Sequence, residues 1–574
     1  MSIETAFPPA LIMLGGALLL PLLPRNYRSF FSLFPPLLTL ALIWAIPSGQ
    51  HLTLGLMDYQ LLPCKVDSLS RVFGMIFALI TFIGGLYALH LRETGQQVAA
   101  LLYAAGALGV TFAGDFITLF IFWELMALSS TYLIWASRGR EAERAGMRYL
   151  LVHLFGGGLL LAGIITHSAE TGSIVIEQIA APGSLAAWLI LAGIGLNAAV
   201  IPLHAWLPDA YPQATVTGAV FLSALTTKTA VYVLLRIFPG WEILLYMGVL
   251  MSIYGVVFAV LANDIREILA YHIISQVGYM VAGAGIGTQL AVNGAAAHAF
   301  SHILYKALLF MGTGAVIQST GKRKLTELGG LAREQPFVLW LYMIGAFSIS
   351  GFPLFNGFVS KSMVVAAAGE AHHNIAMLLM LLAGVGTFLS VGLKLPYFTW
   401  FGKDRGIAPV PLPGNMYLGM GVAAFFCLWH GIMPGMLYGL LPYPVSFAPY
   451  TYPHLVETAQ ILVFTFLAFW IVRQQVAGEA GITLDVDWFY RRPASWVQRV
   501  FLAGVDKAFD RAEAFMVDKA GKLALLGRNP PALFNPSPDK NDFSPDVYRP
   551  PLQTLIILML FSFALFSVWS FLVG

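Results

Sequence analysis

Apolar runs such as FGMIFALITFIGGLYAL, residues 73–89, recur along the whole chain. Each approaches the roughly 20 residues that a helix needs to cross about 30 Å of hydrocarbon. Inside a bilayer a segment must satisfy its own backbone N–H and C=O groups, so runs of this length specify helices. We read spans near 8–23, 29–48, 69–90, 96–113, 115–136, 146–166, 185–206, 216–237, 241–262, 267–286, 290–317, 336–358, 374–400, 415–437, 457–472 and 552–573. Only 11% of the residues are charged, against roughly 25% in a soluble domain. The fold class is therefore an all-α polytopic membrane protein. The first run has no basic region before it and no small-residue cleavage site, which points to a retained helix rather than a signal peptide. Two cysteines, Cys64 and Cys427, are too few for a disulfide framework or a thiolate metal site. With no residue pattern for a nucleotide, flavin or iron–sulfur cluster either, no cofactor and no metal is expected on this chain, and no nucleic-acid partner.

Taken alternately, the connecting loops divide sharply in charge. One set holds Arg25, Arg28, Arg92, Arg138, Arg140, Arg144, Arg266, Lys322, Arg323, Lys324, Arg333, Lys403, Arg405 and Arg473. The other holds mainly Lys65, Arg71, Arg236 and Lys361, which this reading places at span edges. Lys and Arg accumulate in cytoplasmic loops. The N-terminus is thus expected outside a bacterial inner membrane, with the segment from about 474 to 550 in the cytoplasm.

Two spans are interrupted by turn formers, HAWLPDAYPQA from His204 to Ala214 and SGFPLFNGF from Ser350 to Phe358. Proline kinks are common in membrane helices, but paired breaks point to an inverted-repeat transporter, because unwound backbone is tolerated only where it is buried in protein or lines a cavity. Past Arg473 the character changes. From about Pro493 to Leu526 an interrupted stripe of Trp496, Val500, Phe501, Val505, Phe509, Phe515 and Val517 alternates with charges, which predicts an amphipathic helix on a membrane or a partner. About 34 residues would extend roughly 50 Å. A Pro- and Asn-rich loop and a last anchoring span follow.

An ionisable residue near the bilayer centre costs at least about 2.5 kcal/mol, so each one invites a functional hypothesis. In TLFIFWELMALSS, Glu124 is either a proton carrier or a packing carboxylate bonded to a nearby Ser or Thr. In FLSALTTKTAVYVLL, Lys228 is too deep to reach an interface readily. In HAFSHILYKALLF, His298, His302 and Lys306 follow at i, i+4 and i+8, which aligns them on one helical face with about 6 Å of rise per step. Imidazoles accept and release protons near neutral pH, so the stripe suits proton passage; hydrogen-bonded structural histidines are the plainer alternative. A zinc site there lacks a third ligand. Lys394, before a proline, is a terminal proton site or a snorkelling lysine. His153 and His272 read as hydrogen-bonded structure, and Asp209 in the first break as a half-helix cap.

Together the WE pair in a span, PLHAWLPDAY, TTKTAVY, DIREILAYHIISQVGYM, HAFSHILYKALLF, GGL, SISGFP and GFVSK resemble the antiporter-like family. Its members include the large membrane subunits of respiratory complex I, the A and D subunits of Mrp-type Na+/H+ antiporters, and hydrogenase relatives. The likeness runs from VDSLS at Asp67 to about Gly402. It implies about 14 core transmembrane helices with two inverted five-helix repeats, each with a broken helix, and a polar axis along the membrane plane. It further implies proton-transfer roles for Glu124, Lys228, His298, His302 and Lys306, with Lys394 matching the lysine or glutamate of the second broken region. One position departs: Asn197, five residues before Pro202, stands where the family usually has a lysine that pairs with Glu124. Either Lys228 or an arginine such as Arg148 then takes over as partner, or the first half-channel works differently, or the chain does not pump as a typical member would; His204, close by in sequence, is an accessory candidate. The C-terminal amphipathic helix resembles the lateral helix of the most distal antiporter-like member of complex I.

The resulting organisation is N-terminal helices over 1–66, an antiporter-like core over 67–410, closing helices over 411–473, a cytoplasmic amphipathic helix and loop over 474–550, and an anchoring helix over 551–574. The expected function is proton translocation within a hetero-oligomeric membrane complex, most simply Na+/H+ antiport of Mrp type, with other membrane subunits, the lipid bilayer, H+ and Na+ or K+ as partners. A proton-pumping subunit of a redox-driven complex, a proton-conducting partner of an inorganic-carbon uptake complex, and a non-conducting scaffold are the alternatives.

Overall fold

The computed structural model of the chain describes residues 7–180, 183–477, 503–528 and 550–573, with a few positions between 485 and 496. It divides into two units, Met1–Asp485 and Val486–Gly574. The larger begins with α1 (Pro9–Leu19), α2 (Arg25–Phe31) and α3 (Phe34–Ala45), then an antiparallel hairpin, β1 (Gly49–Leu56) and β2 (Tyr59–Val66). Next come α4 (Ser68–Tyr87), α5 (Thr94–Phe112), α6 (Phe116–Trp135), α7 (Arg140–Thr171), α8 (Leu185–Asn197), α9 (Trp206–Ala210), α10 (Gly218–Ala224) and α11 (Thr226–Ile237). The unit continues with α12 (Glu242–Leu261), α13 (Ile265–Ile286), α14 (Gln289–Thr320), α15 (Pro336–Ser350), α16 (Asn356–Glu370), α17 (Asn374–Thr387), α18 (Gly414–Ile432), α19 (Pro434–Tyr438) and α20 (Tyr452–Val472).

Eleven of the described helical segments are long and apolar enough to cross a membrane. Bulky side chains such as Trp44, Phe155, Trp340 and Ile375 stand exposed on the outer faces, as a lipid-facing surface requires. The hairpin is an addition to the helical plan. It is anchored by Asp115, which caps α6 through Thr118 N at 2.7 Å and accepts from Leu62 N at 2.7 Å with its other oxygen.

The core is organised around α13 and α14. α14 is 32 residues long, about 48 Å at 1.5 Å per residue, and touches α4, α10, α13, α15, α16 and α18. α12 and α13 approach so closely that Gly248 and Gly278 lie on each other's backbone, the small-residue packing that lets membrane helices associate.

Both expected breaks are present. In the first, α8 stops at Asn197, Ala199 takes φ +57°, and α9 resumes at Trp206, whose indole N–H donates at 3.0 Å to Leu196 O, which also accepts from Ala199 N. In the second, Gly351 (φ +78°) and Leu354 (φ +74°) separate α15 from α16, and a Cβ at Gly357 would overlap the Ser348 carbonyl oxygen. Two further irregularities had no sequence signal. Leu225 (φ −96°, ψ −68°) bends α10 from α11, and α17 runs on into π-helical turns over Phe388–Lys394 and Tyr397–Phe401.

The loops of the basic set meet on one side. Arg323 pairs with Asp264 at 2.6 Å and donates to Pro212 O at 3.2 Å, while Arg138 pairs with Glu93. Arg266 is a correction to its reading as a loop charge. It is buried, and its guanidinium donates to Ala214 O at 2.7 Å, clamping the turn that follows α9. On the opposite side Arg236 pairs with Asp67, the N-cap of α4, at 2.7 Å. Burial pushes the Asp67 carboxyl up, but Arg236 and Ser70 outweigh it and hold it below the usual carboxylate range.

In the smaller unit, Ala503–Arg528 forms a 26-residue helix, about 39 Å long, exposing Val505, Phe509, Phe515 and Val517. Most of the Pro493–Leu502 part of the expected helix, with Val500 and Phe501, lies outside the described residues. Leu552–Val573 forms the expected terminal apolar helix.

Candidate functional site

The 3.6-residue period of α14 turns His298, His302 and Lys306 to one face, and all three are fully buried. His298 Nδ1 lies 3.2 Å from Ser360 Oγ, and its Nε2 is 3.5 Å from the Tyr305 hydroxyl. Both ring nitrogens of His302 and the Lys306 ammonium have no hydrogen-bond partner among the described residues. A proton can join or leave these atoms without breaking a hydrogen bond to the described residues.

Lys228 faces this stripe from α11. Its Nζ donates to Ser223 O at 2.5 Å and to Thr227 Oγ1 at 3.0 Å, so it occupies the carbonyl that the bend at Leu225 frees. His302 feels the charges of Lys228, Lys306, His298 and His272, and Lys306 feels that of Lys228. Lys361 joins the same electrostatic neighbourhood, because His298 and His272 both feel its charge.

The first half departs from a simple ion-pair scheme. Glu124 is half-buried, its Oε1 enclosed without a hydrogen-bond partner among the described residues, and it rests directly on Gly157 of α7, where any Cβ would overlap it. No lysine or arginine lies within ion-pair distance of it among the described residues. Asn197 is fully buried at the end of α8, with neither amide atom hydrogen-bonded among the described residues. Arg148 is bidentate to Asp209, at 2.7 and 2.8 Å. Asp209 therefore does not cap α9, whose N-cap is Ala205; it serves as a partner of Arg148. His153, one turn before Gly157, places Nδ1 2.9 Å from Tyr149 O and is stacked on Tyr149 and edge-on to Trp206. His204, inside the first break, meets Asp485.

In the second half two lysines exchange places relative to the expectation from sequence. Lys361 is buried within α16, its Nζ without a hydrogen-bond partner among the described residues and 4.7 Å above the Tyr279 ring, where the ring face attracts a cation. It lines a cavity of about 390 Å³ with Ser350, Met380, His454 and Glu457. The edge placement failed because α16 restarts at Asn356, already inside the break, which puts Lys361 more than a turn into the helix. Lys394 belongs to the helix after the broken one. Its Nζ does not snorkel but donates to Val260 O at 2.5 Å and Ala262 O at 2.9 Å, carbonyls at the end of α12 that have no intrahelical donor. His272 Nε2 bonds Ser390 Oγ at 2.5 Å, in the first π-helical turn.

Comparison with known proteins places the chain in a family. Residues 113–389 match the transmembrane family described as NADH:quinone oxidoreductase/Mrp antiporter. The chain belongs to this family. It is 32% identical over 319 residues to the D subunit of the Na(+)/H(+) antiporter of Alkalihalophilus pseudofirmus, covering 52% of this chain and 64% of the relative. It is 34% identical over 301 residues to the N subunit of the NADH-quinone oxidoreductase of Desulforudis audaxviator, covering 49% of this chain and 60% of the relative. The chain thus spans less than two thirds of the length of these relatives. In fold it is similar to a chain of the Mrp complex from Dietzia sp. DQ12-45-1b, with a TM-score of 0.73 and 24% identity over 98% of this chain and 62% of that one. It shares that chain's fold, and its family match and candidate spans make it a multi-pass membrane protein.

Proposed function

We propose that this chain is a proton-translocating subunit of a multi-subunit membrane complex, working in cation/proton antiport of Mrp type. The observation that carries the reading is the enclosed stripe on α14, where His302 and Lys306 are ionisable, fully buried and unpaired by the described protein groups. Unit charges about 6 Å apart interact by roughly 3 kcal/mol at an effective dielectric of 20. A proton arriving at one group therefore biases the next, and the line titrates as a coupled set. Glu124 and Lys228 feed the stripe from one half, Lys361 and Lys394 continue it in the other, and His153, Asn197, His204 and His272 border it. Arg148 and Asp209 hold the first break. Residues 67–410 make the translocating core, 411–473 close it, and 474–550 lie in the cytoplasm of a bacterial cell, with the N-terminus outside and Na+ or K+ as the exchanged cation.

The test is cation-driven pH change in vesicles carrying the full chain with its co-purifying subunits. Lys306→Ala is expected to lower proton movement about 100-fold or more, and Glu124→Gln substantially. Wild-type rates in both variants would refute the pathway. The similarity to the N subunit of NADH-quinone oxidoreductase favours a second reading, in which the same axis is driven by redox chemistry in partner chains. Co-purification with small antiporter subunits or with redox subunits separates the two.

A further inference from the structure

The first break contains a charge pair that none of its sequence motifs announces. Asp485, the last residue of the larger unit, is almost enclosed, with 9% of its surface exposed. Its Oδ1 lies 3.1 Å from His204 Nε2 and also accepts from the Tyr254 hydroxyl, while the Tyr271 hydroxyl donates to Oδ2 at 2.7 Å. The carboxylate is thus gripped from the break, from α12 and from α13 at once. Burial pushes its carboxyl up, but the hydrogen bond and charge of His204 and the two tyrosine hydroxyls outweigh this and hold it at about 2. It remains an anion at any physiological pH.

His204 itself is fully buried, set edge-on to Tyr254, with Nδ1 unpartnered by the described residues. A neutral imidazole that donates Nε2–H to a carboxylate must carry its lone pair on Nδ1. That lone pair is enclosed in the protein. Glu267 of α13 is close enough to feel the charge of Asp485. Five residues past His204, Asp209 is paired with Arg148. When protonated, His204 forms an ion pair with Asp485 inside the protein.

We propose that His204 and Asp485 form a proton-loading dyad at the first helix break, with His204 carrying the proton and Asp485 as the positioning residue. A proton binds the Nδ1 lone pair to give an imidazolium, and leaves from the same atom; no other bond forms or breaks. Asp485 fixes the tautomer that points the lone pair inward and supplies counter-charge to the loaded state. The dyad rests on the proton-translocating reading and deepens it. Asn197, at the end of α8, is uncharged, and Arg148 is held by Asp209, whereas His204 is the imidazole of the break and lies against a carboxylate.

The experiment is the pH profile of cation-driven proton movement by the full chain with its co-purifying subunits in vesicles. In Asp485→Asn the imidazolium loses this counter-charge, so one limb of the profile is expected to move about one pH unit or more to the acid side, and Asp485→Glu to restore it. Asparagine keeps one oxygen to accept from Tyr254 and can turn an amide N–H to the Tyr271 hydroxyl oxygen, so a merely structural latch would leave the profile in place, and that result overturns the dyad. If Asp485→Asn fails to assemble, His204→Gln decides, since it keeps an N–H for Asp485 but cannot titrate. Loss of transport supports the dyad; a wild-type profile overturns it. Lys306→Ala run alongside separates the failures. If it abolishes transport while the dyad variants behave as wild type, the dyad alone is wrong; if it too transports normally, the proton-translocating reading falls.

Discussion

The two broken helices solve one backbone problem with different chemistry. At α15–α16 the polar group is local: Lys361 follows the break by less than two turns, lies over Tyr279 and faces a cavity. At α8–α9 the corresponding half-helix ends in a neutral amide, Asn197, and the carboxylate on His204 comes from 281 residues away. Among the described residues the first break thus has no counterpart of Lys361, and its own carboxylate, Asp209, is paired with Arg148 from α7, while the Trp206 indole supports its backbone at Leu196 O.

That contrast can be tested by altering each break in turn. The largest effect is expected from Lys361→Met, which removes the buried ammonium after the second break while keeping side-chain volume. Transport in vesicles should fall about 100-fold, and a rate within about twofold of wild type would mean that the second break needs no lysine. Asn197→Lys should act next most strongly, by restoring at the end of α8 the lysine that the family resemblance pairs with Glu124. If the first half is built to work without a fixed cation, the variant should slow transport about tenfold, since a buried ion pair of good geometry resists separation. Unchanged or faster transport would show the two halves to be interchangeable. Gly157→Ala should have the smallest effect. The added methyl displaces the Glu124 carboxylate, so transport should fall severalfold with little change in melting temperature, whereas Ala at Gly158, which meets nothing within 4 Å, should leave both unchanged.

Much of this architecture was legible because lipid removes alternatives. A helix is the one local solution for an apolar run in a bilayer, so α4, α6, α12 and α14 followed from length alone. The stripe on α14 followed from helical arithmetic, and both breaks from proline and glycine. Lys361 was misjudged because the register at which a helix restarts after a break is set by its neighbours, here by the close seat of Gly357 on Ser348. The hairpin at 49–66 was missed because its alternation is weak and its first strand largely exposed. The π-helical turns before Lys394 have no sequence signature, yet they carry Ser390 to His272. Asp485 could not be found at all from local pattern, since these partners lie between 214 and 281 residues away.

Lys228 has a consequence beyond its place in the polar line. Its ammonium is bonded to Ser223 O, the carbonyl that the bend at Leu225 releases. A charge-assisted hydrogen bond is roughly twice as strong as its neutral counterpart. On the proposed proton route, loss of the Lys228 proton would weaken that hydrogen bond and loosen the joint between α10 and α11, and its return would tighten it.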